Sequence, residues 1–129
     1  MDALRRCPCG SGDSYGGCCG RYHDGTATAP TAERLMRSRY SAFVVGDEEY
    51  LQLSWHPDTR PVGPVIDPTI RWTGLEIVAA VGGRLGESAG TVEFVARFRE
   101  DGVTGSMHES SRFRRVEGNW RYLDGDQLS

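Results

Sequence analysis

Apolar residues recur with two different periods along the chain, and the change falls near residue 70. Before it, Ala32, Leu35, Met36, Tyr40 and Phe43 share one face of a 3.6-residue repeat, which predicts an amphipathic helix. Thr31, after Pro30, suits its N-cap, and Gly46 suits its stop. A second short helix is predicted from Asp47, carrying Tyr50, Leu51 and Trp55. Pro57, Pro61, Pro64 and Pro68 then forbid a regular element until about residue 70. Beyond that point the period is two. The stretches 75–81, 91–99, 106–116 and 120–124 read as strands, joined by the glycine-bearing links GGRLGESAG, EDGVTG and EGN. Consecutive strands with short turns predict a curved antiparallel sheet with one face covered by the preceding helices. The fold class is α+β.

Neither period reaches the first 25 residues. The stretch RRCPCGSGDSYGGCCGRYHDG has almost no apolar side chains, yet it holds all four cysteines, Cys7, Cys9, Cys18 and Cys19. The opening MDALRRC lacks an apolar run suited to a signal peptide, so a cytoplasmic location with reduced thiols is expected. There a cysteine cluster reads as a metal site. Cys7 and Cys9 are too close for an easy bridge, and a bond between Cys18 and Cys19 would strain the backbone.

Four thiolates suit tetrahedral zinc, although ligand type alone does not separate zinc from iron. Gly10, Gly12, Gly16, Gly17 and Gly20 let the chain turn around an ion, and Arg5, Arg6 and Arg21 could offset its charge. His23, four residues after Cys19, is the alternative fourth ligand. A closed site of this kind is structural, and binding would supply roughly 10 kcal/mol or more of folding free energy. The domain organisation expected is a metal-stapled segment over 1–25 and an α+β domain over 26–129, with residues 24–30 as the linker.

Composition adds little. The chain has 129 residues, 38% of them hydrophobic, so a core is feasible; a net charge of −3 gives no general pull toward nucleic acid or an anionic membrane. All 15 basic residues are arginine, which favours forked contacts over point charges. One of them is out of place. Arg39 lies between Leu35, Met36 and Phe43 on the apolar stripe of the first predicted helix, where a charge is costly unless paired. On the third strand, alternation puts Met107, Glu109, Ser111 and Phe113 on one face, so Glu109 is the carboxylate expected to meet the Arg39 fork. The pair would be either a structural ion pair or the polar floor of a pocket. His56 reads as a loop residue, His108 as outward-facing, Asp67 as a turn residue, and Trp72, Trp120 and Tyr122 as core or rim. No phosphate-binding loop, nucleophile elbow or Ser-His-Asp constellation is readable.

The segment CPCGSGDSYGGCCG resembles the SEC-C motif, the small zinc module at the end of the SecA translocation ATPase. The resemblance implies Cys7, Cys9, Cys18 and Cys19 as ligands, with Cys19 in the Cys-or-His position. In SecA the module is linked to SecB and ribosome binding through basic surface. Here Asp13, Gly16 and Gly17 surround Tyr15 where the motif usually carries lysines. Further on, LMRSRYSAFVVGDEEYL, WHPDTRP, WTGLEIV, VEFVARFR, HESSRF and NWRYLDG follow in an order that resembles the YchJ-like, or UPF0225, family. That resemblance implies a nuclear transport factor 2-like (NTF2-like) cone behind the zinc segment.

Two functions follow as expectations. The first is a non-enzymatic zinc-binding interaction module with a protein partner. The second is a small-molecule binder or enzyme that uses a cone cavity lined by Arg39 and Glu109. A deep opening in the cone favours the second; a filled cone favours the first.

Overall fold

The structure is a computed structural model and describes residues 1–128. Three helices precede four strands. They are α1 (Cys19–His23), α2 (Ala32–Val45), α3 (Glu48–Leu53), β1 (Ile70–Gly82), β2 (Ala89–Glu100), β3 (Val103–Val116) and β4 (Asn119–Gln127). The strands form one antiparallel meander in the order β1-β2-β3-β4. The α+β class is as expected, and α1 is an element that the spacing of the cysteine segment did not suggest.

Both ends of α2 follow from local chemistry. The Thr31 side chain accepts from the Arg34 N–H at 3.1 Å, and Gly46 closes the helix at φ 82°, a left-handed conformation that glycine adopts freely. Asp47 caps α3 by accepting from the Tyr50 N–H at 3.0 Å. That helix ends at Leu53, so Trp55 lies just beyond it in the loop.

The strands run longer than the alternation suggested, because two of the links are only two-residue turns. Asp101–Gly102 and Glu117–Gly118 all have positive φ (53°, 79°, 51° and 85°), the mirror-image turn whose twist matches a hairpin. Register shifts at Thr73 and Val78 in β1 and at Leu123 in β4 bend the sheet. Its concave face carries Val92, Phe94 and Ala96 of β2, Phe113 of β3 and Trp120 of β4, all buried against Ala32, Leu35, Met36 and Tyr40 of α2.

Trp120 is 1% exposed, and its indole N–H donates to the Pro30 carbonyl at 3.2 Å, which ties β4 to the start of α2. Trp120→Ala should therefore cost about 3–5 kcal/mol, measured by urea unfolding. A loss below about 1 kcal/mol would mean that the sheet and helix do not share this core.

Candidate functional site

The cysteine segment folds into a knuckle. Positive φ at Gly10 (81°) and Gly12 (91°) turns the chain between the first and second cysteine pairs. Cys7, Cys9, Cys18 and Cys19 are all buried, and their sulfurs lie within 4.8 Å of one another. The Cys9–Cys18 and Cys18–Cys19 sulfur separations are 3.7 and 4.0 Å. Sulfurs about 2.3 Å from one tetrahedral ion stand about 3.8 Å apart, so these four residues can hold a metal ion. The thiols also perturb one another. Hydrogen bonding with Cys19 pulls Cys7 far below the ordinary thiol value, and the same contact pushes Cys19 far above it. A cation among the four sulfurs would let all of them ionise together.

His23 stands outside this group of four. Both ring nitrogens of His23 are already engaged: the Tyr15 hydroxyl donates to Nδ1 at 2.5 Å, and Nε2 donates to the Ser38 carbonyl at 2.8 Å. The residues around the cysteines also differ from the expected set. Arg37 donates to the Cys9 carbonyl at 2.8 Å, Arg34 approaches the Cys18 sulfur at 4.0 Å, and the Ser41 hydroxyl lies 3.5 Å from the Cys7 sulfur. All three project from α2. Arg5 and Arg6 are exposed, and Arg21 donates to the Cys18 carbonyl at 3.2 Å and to the Tyr22 hydroxyl at 3.3 Å. Polar groups on the docking helix thus join one near in sequence, the Ser11 hydroxyl, which lies 3.2 Å from the Cys18 sulfur.

This docking also joins the knuckle to the main core. Tyr22 is buried with Ala42, Tyr50 and Leu51, and Leu75 packs against the cysteines. A segment with no apolar core of its own borrows one from α2 and α3.

On the other side of α2 lies a cavity of about 250 Å³. Helix α2 contributes Met36, Arg39, Tyr40 and Phe43; the sheet contributes Trp72, Phe94, Ala96 and Tyr122, with Met107, Glu109 and Ser111 aligned along β3; the loop contributes Trp55 and Val65. Alternation in β3 thus reads as expected, and Arg39 and Glu109 border one space.

They do not form the forked pair, however. Among the described residues no ion pair within 4.0 Å joins them. Nη1 of Arg39 donates to the Leu51 carbonyl at 2.9 Å and to the Ser54 hydroxyl at 2.6 Å. Its guanidinium lies 4.8 Å from the Trp55 ring centre and 4.6 Å from that of Tyr122. Glu109 instead accepts from the Ser111 hydroxyl and, at 2.9 Å, from Gln127. The physical reason is proximity. The end of α3 offers a carbonyl and a hydroxyl directly beneath the helix, and two aromatic faces complete the cage. Burial pulls Arg39 down to about 10, which still leaves it protonated at neutral pH. Burial also pushes the Tyr40 and Tyr122 phenols up to about 12, so they stay neutral.

Of the other candidates, His56 accepts from the Asp58 N–H at 3.0 Å, and Asp67 accepts from the Thr69 N–H at 2.9 Å; both are turn roles. His108 faces outward and meets Glu93 at 2.7 Å. Trp120 is core, whereas Trp72 and Tyr122 line the cavity. Sequence reasoning missed Ser54 and Trp55 as the cage around Arg39, and the buried Ser38 and Ser41 as contacts to the knuckle. The signal for the serines was present, since two polar residues sit within the inner turns of an apolar-striped helix.

A four-cysteine knuckle docked on an α+β cone defines an NTF2-like domain with a SEC-C motif at its N-terminus. A family model described as YchJ, middle NTF2-like domain, matches residues 31–125. A UPF0225 protein of Streptomyces coelicolor is 57% identical over 122 residues, covering 95% of each chain. The chain belongs to the YchJ-like, UPF0225 family. Solved structures agree. The solution structure of a SEC-C motif containing protein from Rhodopseudomonas palustris matches with a TM-score of 0.83 at 35% identity, covering 95% of this chain and 98% of that one. The crystal structure of a SEC-C motif containing protein from Psychrobacter arcticus matches with a TM-score of 0.78 at 30% identity, covering 98% and 85%. No helix of the described residues is long and apolar enough to cross a membrane.

The contacts of Arg39 set up a double-mutant test. Arg39→Met combined with Ser54→Ala should show a coupling energy on the order of 0.5–3 kcal/mol, and larger than that of Arg39→Met combined with Glu109→Gln. The reverse order, from urea unfolding of the six proteins, would restore the direct ion pair.

Proposed function

We propose that this protein is a zinc-stapled NTF2-like cone that binds a small organic molecule in its cavity. The observation that carries the reading is the open space of about 250 Å³ between α2 and the sheet, walled by aromatic and methionine side chains and bordered by Arg39 and Glu109. Such a space is the usual form of a ligand site: mostly apolar, with a few converging polar groups. A cavity of about 150 Å³ is enough for a benzene ring. The zinc, held by Cys7, Cys9, Cys18 and Cys19, is structural in this reading, because four thiolates leave no open position on the ion. Dependence on free thiols suits a reducing compartment such as the cytoplasm.

A second reading gives the knuckle a protein partner. It is favoured by Leu4, which is 88% exposed beside the exposed Arg5 and Arg6. A partner retained by the wild type and lost with both Leu4→Asp and chelation would support it. Unchanged capture by either treated protein would count against it.

Two measurements test the main reading. Elemental analysis of protein purified under reducing conditions should give one zinc per chain, and its loss on replacing any of the four cysteines by serine; metal-free or iron-loaded protein would contradict it. Neutral indole, titrated into the full chain, should shift the methyl resonances of Met36 and Met107. Ala96→Leu, which fills the cavity from β2, should abolish the shifts. Indole that leaves both methyls unmoved would remove the cavity as a binding site.

A further inference from the structure

The cavity has an unequal distribution of satisfied polar groups. Arg39 is 4% exposed, and both of its hydrogen bonds leave from Nη1. Among the described residues, Nε and Nη2 have no acceptor. The same wall holds a second unpaired donor. Trp55 Nε1 is buried and is without any hydrogen-bond partner. It belongs to the ring whose centre lies 4.8 Å from the guanidinium carbon. Buried donors are nearly always paired, and an unmatched one costs about 1–3 kcal/mol, more when charged. Among the described residues Trp55 Nε1 is the one such buried orphan. Beside it the Arg39 N–H groups without acceptors border the cavity, and together they mark where an acceptor belongs.

The protein's own carboxylate does not serve. Glu109 is turned to Ser111 and Gln127, each of its oxygens accepting from one of them. The backbone and hydroxyl partners of Arg39 are neutral, and so are Tyr40 and Tyr122. The cation therefore has aromatic faces and neutral dipoles about it, with no anion in contact. The remaining wall is Met36, Phe43, Trp72, Phe94 and Met107. A ligand that matches it has a flat apolar body.

We propose that the cavity takes a planar organic carboxylate, with the carboxylate oxygens accepting from the free Arg39 N–H groups and from Trp55 Nε1, and the ring lying between Phe94 and the α2 face. The fork of an arginine fits two oxygens of one carboxylate, and such charge-assisted bonds are about twice as strong as neutral ones. Glu109 then stands apart from the anion and excludes a second negative group on the ligand. Ligands with a carboxylate at one end, and a neutral or donor-bearing far end, are selected over dicarboxylates. This inference rests on the cavity reading above and adds the charge and shape of the ligand.

The test uses the zinc-loaded full chain at neutral pH and three ligands of one shape: benzoate, benzamide and benzamidinium. Binding is followed through the Met36 and Met107 methyls and the three tryptophan indole N–H resonances. Benzoate should bind at least ten-fold more tightly than benzamide, and the Trp55 indole should move more than those of Trp72 and Trp120. Trp55→Phe keeps an aromatic face against Arg39 and removes the N–H. It should weaken benzoate several-fold and benzamide by less, because only benzoate brings an anionic acceptor to that N–H. Arg39→Lys keeps the charge but loses the fork, and should erase most of the preference for benzoate; a folded state is checked by unchanged sheet resonances. Equal binding of benzoate and benzamide would overturn the anion site while leaving the cavity reading standing. Tighter binding of benzamidinium would overturn it in favour of Glu109 as the recognising group. Failure of all three where indole binds would overturn it as well. Failure of indole too would remove the cavity reading itself.

Discussion

Helix α2 is buried on two sides, and the rest of the molecule is arranged around that fact. Toward the sheet it presents Leu35, Met36 and Tyr40, which close the concave face with Phe94, Phe113 and Trp120. Toward the N-terminus it presents Ser38, Ser41, Arg34 and Arg37, which meet His23, Cys7, Cys18 and Cys9. A helix that is apolar on one face is normally solvated on the other. Here the second face is polar but covered, and its serines are 0% exposed. Burial of those hydroxyls is tolerable because each has a partner: Ser38 bonds to Leu35 O and the Tyr50 hydroxyl, and Ser41 lies against a sulfur.

The metal knuckle and the cavity are therefore two sides of one wall. The knuckle has little apolar surface, so a bound metal would supply the folding free energy that a core otherwise gives. In return it covers the polar face of α2 and helps to seat Tyr22 against Ala42, Tyr50 and Leu51. Arg39 projects from the same helix and fastens the end of α3 through Leu51 and Ser54. Arg39 thus joins Ser38 in tying α2 to α3 and also stands at the cavity edge. That dual position explains why a cation is kept inside an apolar stripe.

Much of this was legible in the sequence where the rule is local. Thr31 and Gly46 mark the ends of α2 because capping depends on neighbouring residues alone. Strict alternation aligns Met107, Glu109 and Ser111 along β3, and the crowding of four cysteines marks the metal site. The SEC-C and YchJ-like resemblances extended the reading to the whole fold. What was not legible depends on angles between elements. Ser54 meets Arg39 only because α3 turns back beneath α2. Tyr122 reaches Arg39 across the β3–β4 edge, where an extra residue, Leu123, shifts the register and no alternation pattern reveals it. Arg5, Arg6 and Arg21 were expected around the metal; Arg34 and Arg37, far off in sequence, reach the cysteines from α2 as well.

Amide exchange with and without a chelator tests most directly whether α2 is the shared wall. The account expects metal removal to expose more than residues 1–25. Amides of Ser38–Ala42 in α2 and of Leu51 in α3 should lose protection, while the paired strands β2 and β3 keep most of theirs. Loss of protection confined to the first 25 residues would contradict it, because the knuckle would then be an independent appendage and the helix would stand without it.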